Sequence, residues 1–183
     1  MKVTELKRLL NEKDYSELVK LLVDLYKDNK NVQNYIDSKL LGDGYEKELL
    51  ENYKKKIESC FFPQRGFAKN PTKEGKLLIN EFKKISKNDE YVVDLQLYYI
   101  ECGVNFTNSF GDMPMPFYKA LASALDDVVS RIYMSSNNIY DLFRKRIISI
   151  ENNSESIAWG FGMYVGETIS QLRCDFDDFD DFD

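Results

Sequence analysis

Between Tyr91 and Phe106 the chain reads YVVDLQLYYIECGVNF, sixteen residues in which only Asp94, Gln96, Glu101 and Asn105 are strongly polar. A segment apolar on nearly every side has to be enclosed, so the rest of the chain must supply the enclosure. Val93, Leu95, Leu97 and Tyr99 alternate with Asp94, Gln96 and Tyr98, a pattern that would suit a strand. Sixteen residues, however, far exceed the usual strand of roughly 5–6. The reading favoured is a buried central helix.

The flanking text repeats at helical spacing. Thr4 is expected to cap a short helix carrying Leu6, Leu9 and Leu10. Asp14 followed by Glu17 has the spacing of a capping box and opens a helix with the face Leu18, Leu21, Leu22 and Leu25. Asn31 should cap a helix bearing Val32, Tyr35, Ile36 and Leu40, stopped by Gly42-Asp43-Gly44, and Leu49, Leu50, Tyr53 and Ile57 mark the next. An irregular stretch, Phe61 to Asn70, ends at Pro71, which fits a first helical turn because its missing N–H costs nothing there. Leu78, Phe82 and Ile85 follow, and Asn88 begins the central helix, which Gly103 and the run Thr107 to Asp112 are expected to end. Pro114 and Pro116 restart the chain into the face Phe117, Leu121, Leu125, Val128 and Ile132. Asn137 and Asn138 break that helix, Tyr140 to Ile150 form another, and Ser154 caps a last one with Ile157, Phe161, Val165 and Leu172. The fold class is therefore all-α: an irregular array of about nine antiparallel helices joined as αα-hairpins, with residues 1–174 as a single domain and 175–183 as a disordered acidic aromatic tail.

Histidine is absent from all 183 residues. That removes Ser-His-Asp and Cys-His nucleophilic catalysis, imidazole acid–base chemistry and Cys/His zinc sites. Cys60, Cys102 and Cys174 are an odd number at wide spacing, which suits reduced structural thiols and neither a disulfide framework nor a metal site. No apolar run approaches the roughly 20 residues of a membrane span, and the opening MKVTELKRLL has no signal-peptide core. The expectation is a cytoplasmic protein with no membrane contact and no cofactor.

Charge is unevenly distributed. The last nine residues, DFDDFDDFD, hold six aspartates, and the remainder has 25 acidic against 25 basic side chains. Within it, Lys54 to Lys87 carries ten basic residues against Glu58, Glu74 and Glu81. Arg65, Lys69, Lys73 and Lys76 surround the start of a helix, where free amides favour anions, and Gly66 permits close approach. Phe61, Phe62 and Phe67 would supply stacking surfaces for a single-stranded partner. The plain alternative is a solvated lysine face and phenylalanines that plug the core. A second candidate is the polar stretch after the central helix, with Glu101, Asn105, Thr107 and Asp112; a desolvated Glu101 would carry a raised pKa and suit general acid–base work. Residues of this kind more commonly cap helices and satisfy turns. In Trp159-Gly160-Phe161-Gly162 the glycines are read as permitting close helix packing, and the adjacent Asp126 and Asp127 point to different sides of their helix.

Three segments carry a resemblance: the helical opening ELVKLLVDLYKDNKNVQNYI, the CFFPQRGF loop with KLLINEFKKIS, and LQLYYIECGVNFTNSFGD. Together they resemble a bacterial family known as domain of unknown function 6155, over roughly residues 4 to 172. The resemblance implies an all-helical protein and no particular activity. The tail lies outside that pattern. In composition it resembles the acidic tip of bacterial single-stranded-DNA-binding proteins, but it ends in Phe182-Asp183 rather than Pro-Phe.

The resulting expectation is a non-catalytic interaction protein that accepts an anionic partner, nucleic acid or acidic peptide, through residues 54–87, with the tail competing for that surface or binding a basic protein surface. The alternatives are a histidine-independent enzyme or small-ligand binder using residues 101–112, and a structural oligomer subunit.

Overall fold

A computed structural model describes residues 1–135 and 139–177. The described residues form nine α-helices and no strand: α1 Val3–Asn11, α2 Tyr15–Asp28, α3 Lys30–Leu41, α4 Asp43–Phe61, α5 Pro71–Ile85, α6 Asp89–Phe110, α7 Met115–Met134, α8 Ile139–Ser154 and α9 Phe161–Asp177. The chain divides into two compact units, Met1–Glu46 and the residues from Lys47 onward.

The first unit is shaped by its caps. Asp14 accepts a hydrogen bond from the Glu17 amide at 2.8 Å and the Glu17 side chain accepts one from the Asp14 amide at 3.2 Å, the reciprocal box expected from the spacing. The cap of α3 is Asn29 rather than Asn31, because the Asn29 carboxamide reaches the amides of both Asn31 and Val32. Thr4 lies inside α1, which starts without a side-chain cap. Gly42 ends α3 at φ 75°, a left-handed conformation that costs glycine little. Tyr26 donates to Asp37 at 3.0 Å and Tyr45 to Asn34 at 3.1 Å, so polar contacts tie this unit together. No residue of α1 or α2 is buried.

The second unit is built round the segment that cannot face water. α6 starts at the Asn88 cap, whose carboxamide accepts from the Glu90 and Tyr91 amides, and it buries residues on every side, including Val93, Leu95, Leu97 and Ile100. α5, α7 and α8 pack against it, and α9 packs on α7 and α8. Gly103 does not end the helix. It lies inside α6 because a Cβ there would sit 2.5 Å from Leu121 Cδ2, so its missing side chain lets α7 approach. The helix continues through Thr107 to Phe110 and stops at Gly111, φ 91°. Partners fall along α7 as they rise along α6: Arg131 with Asp89, Asp127 with Gln96, Leu121 with Gly103 and Phe117 with Phe106.

Two further expectations are corrected. Ser154 closes α8, donating to the Ile150 carbonyl at 2.6 Å, and α9 begins only at Phe161. Trp159 and Gly160 precede α9 in left-handed conformations, φ 60° and 73°, whereas Gly162 allows the backbone of Ser154 and Glu155 to come close, which is the packing role foreseen for it. Asp175, Phe176 and Asp177, read as tail, complete α9. Asp178 to Asp183, like Asn137 and Asn138, lie outside the described residues. No described helix is long and apolar enough to cross a membrane.

Candidate functional site

Three hollows with shared walls follow the line where α5 meets the end of α6 and the start of α7. At one end, Phe61, Phe62, Pro63, Phe106 and Phe110 enclose an apolar hollow of about 490 Å³, with Gly66, Phe67 and Ala68 at its edge. Its aromatic wall is continuous. Phe106 lies 4.9 Å from Phe110 between ring centroids, 5.8 Å from Phe62, 6.0 Å from Phe61 and 5.9 Å from Phe117. Ala68 and Phe106 also border the next hollow, about 700 Å³, between Lys69, Lys73 and Lys76 on one side and Pro114, Pro116 and Phe117 on the other. Lys76 and Ala120 lead on to a smaller one of about 230 Å³, with Lys83, Gln96 and Asp127.

The sequence candidates are thus divided. Phe61 is 1% exposed and plugs the core, edge-on to Tyr99, so it has no face to offer a base. Phe62 is half-buried in the hollow wall, and Phe67, 95% exposed, stands at the mouth. Lys69, Lys73 and Lys76 are exposed along the rim and form no ion pair with the described residues. Arg65 is exposed on the same loop and lines none of these hollows, and Gly66, φ 79°, gives that loop its turn. Asn70 makes no side-chain cap, which leaves the first-turn amides of α5 uncapped beside Lys69 and Lys73.

At the inner end, Asp127 takes an ion pair from Lys83 and a hydrogen bond from Gln96 Nε2 at 2.6 Å. Burial alone would raise its pKa, but the bonds from Lys83 and Gln96 and the Lys83 and Arg131 charges hold the carboxyl below its ordinary range. Gln96 Oε1 is buried with no partner among the described residues. Asp126 turns the other way and accepts from Tyr164.

Most of the stretch 101–112 is not a loop, since α6 runs through Phe110 and only Gly111 and Asp112 follow it. Glu101 accepts two bonds from Arg146, 2.7 Å from Nε and 2.9 Å from Nη2, and Arg146 Nη1 reaches Asp94 at 2.5 Å. Lys54 completes the chain of charges at Asp94, 2.9 Å. Asn105 is exposed beside Glu101 in a hollow of about 290 Å³, while Thr107 is buried. Asp112 belongs to another cluster, where the Tyr118 hydroxyl donates at 2.6 Å and Trp159 Nε1 at 2.8 Å. The Tyr118 bond, more than any other contact, holds Asp112 below the usual carboxylate range. Glu101 and Asp112 are therefore not brought together. Cys102 offers no substitute nucleophile, because burial first, and then the charges of Glu58 and Glu101, push its thiol up to about 12. Among the described residues no group of three or more His, Cys, Asp or Glu side chains is placed to hold a metal.

Sequence reasoning missed Arg146, Phe106 and Phe110. A signal for the arginine was present. Asp94 and Glu101 are seven residues apart, two turns along one face of an apolar helix, and two such carboxylates need a cation.

No curated protein and no solved structure matches the chain significantly. A family model described as a family of unknown function, DUF6155, matches residues 1–168, which takes in the first unit, the second as far as the first half of α9 and the whole groove along α5, and the chain belongs to that family.

Proposed function

We propose that this is a non-catalytic binding protein whose groove along α5 accepts an extended acidic segment bearing aromatic side chains. The observation that carries the reading is the junction of two chemistries in one line: an apolar hollow walled by Phe62, Phe106 and Phe110, opening directly onto Lys69, Lys73 and Lys76, which pair with no acid among the described residues. An aromatic side chain entering the first would leave water, at roughly 25 cal/mol per Å² of apolar surface, while neighbouring carboxylates met the second. Nucleic acid fits less well. Its affinity comes from many phosphate contacts, and outside the last nine residues the protein is electrically neutral. Both oxygens of Glu101 are held by Arg146, which leaves the enzyme reading without a free carboxylate there.

Fluorescence anisotropy with a labelled peptide of alternating aspartate and phenylalanine tests the reading on the full chain. Binding should be salt-sensitive and fall at least about tenfold in the double variant Lys69→Glu, Lys73→Glu. Binding unchanged in that variant, or tighter binding of a single-stranded oligonucleotide than of the peptide, would sink it.

A further inference from the structure

The aspartate–phenylalanine repeat at the end of the chain has the chemistry that the groove accepts. Its first unit is described, and shows how such a sequence is held. The Phe176 ring lies 5.1 Å from Tyr140 and 5.5 Å from Tyr133 between centroids. Asp175 accepts from the Tyr133 hydroxyl and from Gln171 at 2.9 Å, and Asp177 pairs with Arg144 at 2.8 Å. One Asp-Phe-Asp unit is thus bound by aromatic rings with a cation beside them. Phe179 and Phe182 repeat the pattern, three residues apart in sequence. The groove repeats the receptor, with phenylalanine rings in place of tyrosines and Lys69 and Lys73 in place of Arg144.

Distance decides which copy the repeat can serve. Asp175 and Phe176 rest against Tyr133, next to the last residue of α7, whereas the groove lies at the first turns of α7, by Pro116 and Phe117. The sixteen residues from Phe117 to Tyr133 span about 24 Å of helix. Phe182 is five residues beyond Asp177, at most about 18 Å away even when fully extended. The aromatic hollow lies beyond Phe117, at the Phe106 and Phe110 end, so a repeat from the same copy falls short of it. A second copy has no such limit.

We infer that Phe179 or Phe182 of one copy of this chain enters the aromatic hollow of a second copy, its flanking aspartates meeting Lys69 and Lys73. The inference rests on the groove being an acceptor for acidic aromatic segments. It replaces the competition within one molecule that charge alone suggested. Tail and groove are different surfaces, so two copies exchange tails reciprocally or successive copies link in series.

Sedimentation velocity of the full chain over a concentration series tests it. Association is expected at low salt, weakened at least about tenfold in Phe179→Ser, Phe182→Ser and equally in Lys69→Glu, Lys73→Glu. Lys69 and Lys73 are exposed, and circular dichroism checks that each variant keeps its helices. Mixing the two double variants should restore a complex between them, because each retains the half the other has lost. A full chain that stays monomeric, or association that survives both double variants, overturns the inference. The aspartate–phenylalanine peptide separates the two levels. If Phe179→Ser, Phe182→Ser still binds it while the full chain is monomeric, only the contact between copies fails; if the peptide does not bind either, the groove reading fails as well.

Discussion

The two units of this molecule use the same sequence device with opposite results. In α2 the leucines at 18, 21, 22 and 25 recur at helical spacing, yet α2 buries no residue and Leu22 remains 54% exposed. In α6 the pattern is less regular, since apolar residues occur all round, and eleven of its residues are buried. Periodicity states which face of a helix is apolar; it does not supply the surface that covers it. The first unit is accordingly held by caps and tyrosine hydrogen bonds, and the second by a close-packed core.

The sharpest way to break this comparison is a cavity in the second unit. Phe82 is fully buried in α5 and lies 5.4 Å from the Tyr53 ring. Phe82→Ala should cost about 3–5 kcal/mol in denaturant unfolding, the usual range for an aromatic removed from a core that cannot collapse. A loss below about 1 kcal/mol would mean that the second unit is no better packed than the first.

Removing a charge should come next. Arg146→Met would leave Asp94 and Glu101 facing each other with only Lys54 nearby, and both carboxylates are more than two-thirds buried. Loss of one partner from such a group is expected to cost about 2–4 kcal/mol, because the remaining charges lose their compensation while staying partly desolvated. The triple change Arg146→Met, Asp94→Leu, Glu101→Leu should recover most of it, since apolar residues fill the same space without unpaired charge.

Glycines give a paired test across the two units. A Cβ at Gly103 meets Leu121 at once, so Gly103→Ala should destabilise by about 1–3 kcal/mol as α7 is forced outward. Gly44, near the start of α4, has nothing within 4 Å of such an atom, and Gly44→Ala should stabilise by up to about 1 kcal/mol through helix propensity alone. Thermal melts of the two variants should therefore move in opposite directions.

Much of the fold was legible because its local signals are chemical. Asp14 with Glu17, Asn88 and Pro71 each fix a helix start through an amide or a missing one, and the Tyr91 to Phe106 run could only be interior. Gly103 misled for a physical reason. Its value lies in contact with Leu121, eighteen residues away in sequence, which local propensity does not register. The lysine half of the groove was visible in composition, but its aromatic half was not, because Phe106 and Phe110 come from a different helix and are brought to Phe62 only by packing. Glu101 was marked as a candidate because it was read as part of the polar stretch leaving the central helix; its polarity within the apolar run, joined to that of Asp94, signalled the ion cluster completed by Arg146 from α8.

The acid limb of stability should separate the units by a smaller margin. Asp127 lies in the second unit with its carboxyl held below the ordinary range, chiefly against burial by the bonds from Lys83 and Gln96. A group whose folded pKa is depressed lends stability above its unfolded pKa and loses it as pH falls through the folded value. Its contribution is thus fully present at neutral pH and begins to fade below about 4, near the unfolded carboxylate value. The side chain is 39% exposed, so solvent screens the Lys83 pair and limits what is lost. Urea midpoints measured between neutral pH and pH 3 should fall less steeply for Asp127→Asn than for the unmodified chain over that last interval. Equal slopes would show that Lys83 and Gln96 hold Asp127 no more firmly than water does, and the inner end of the groove would then be as loosely tied as the first unit.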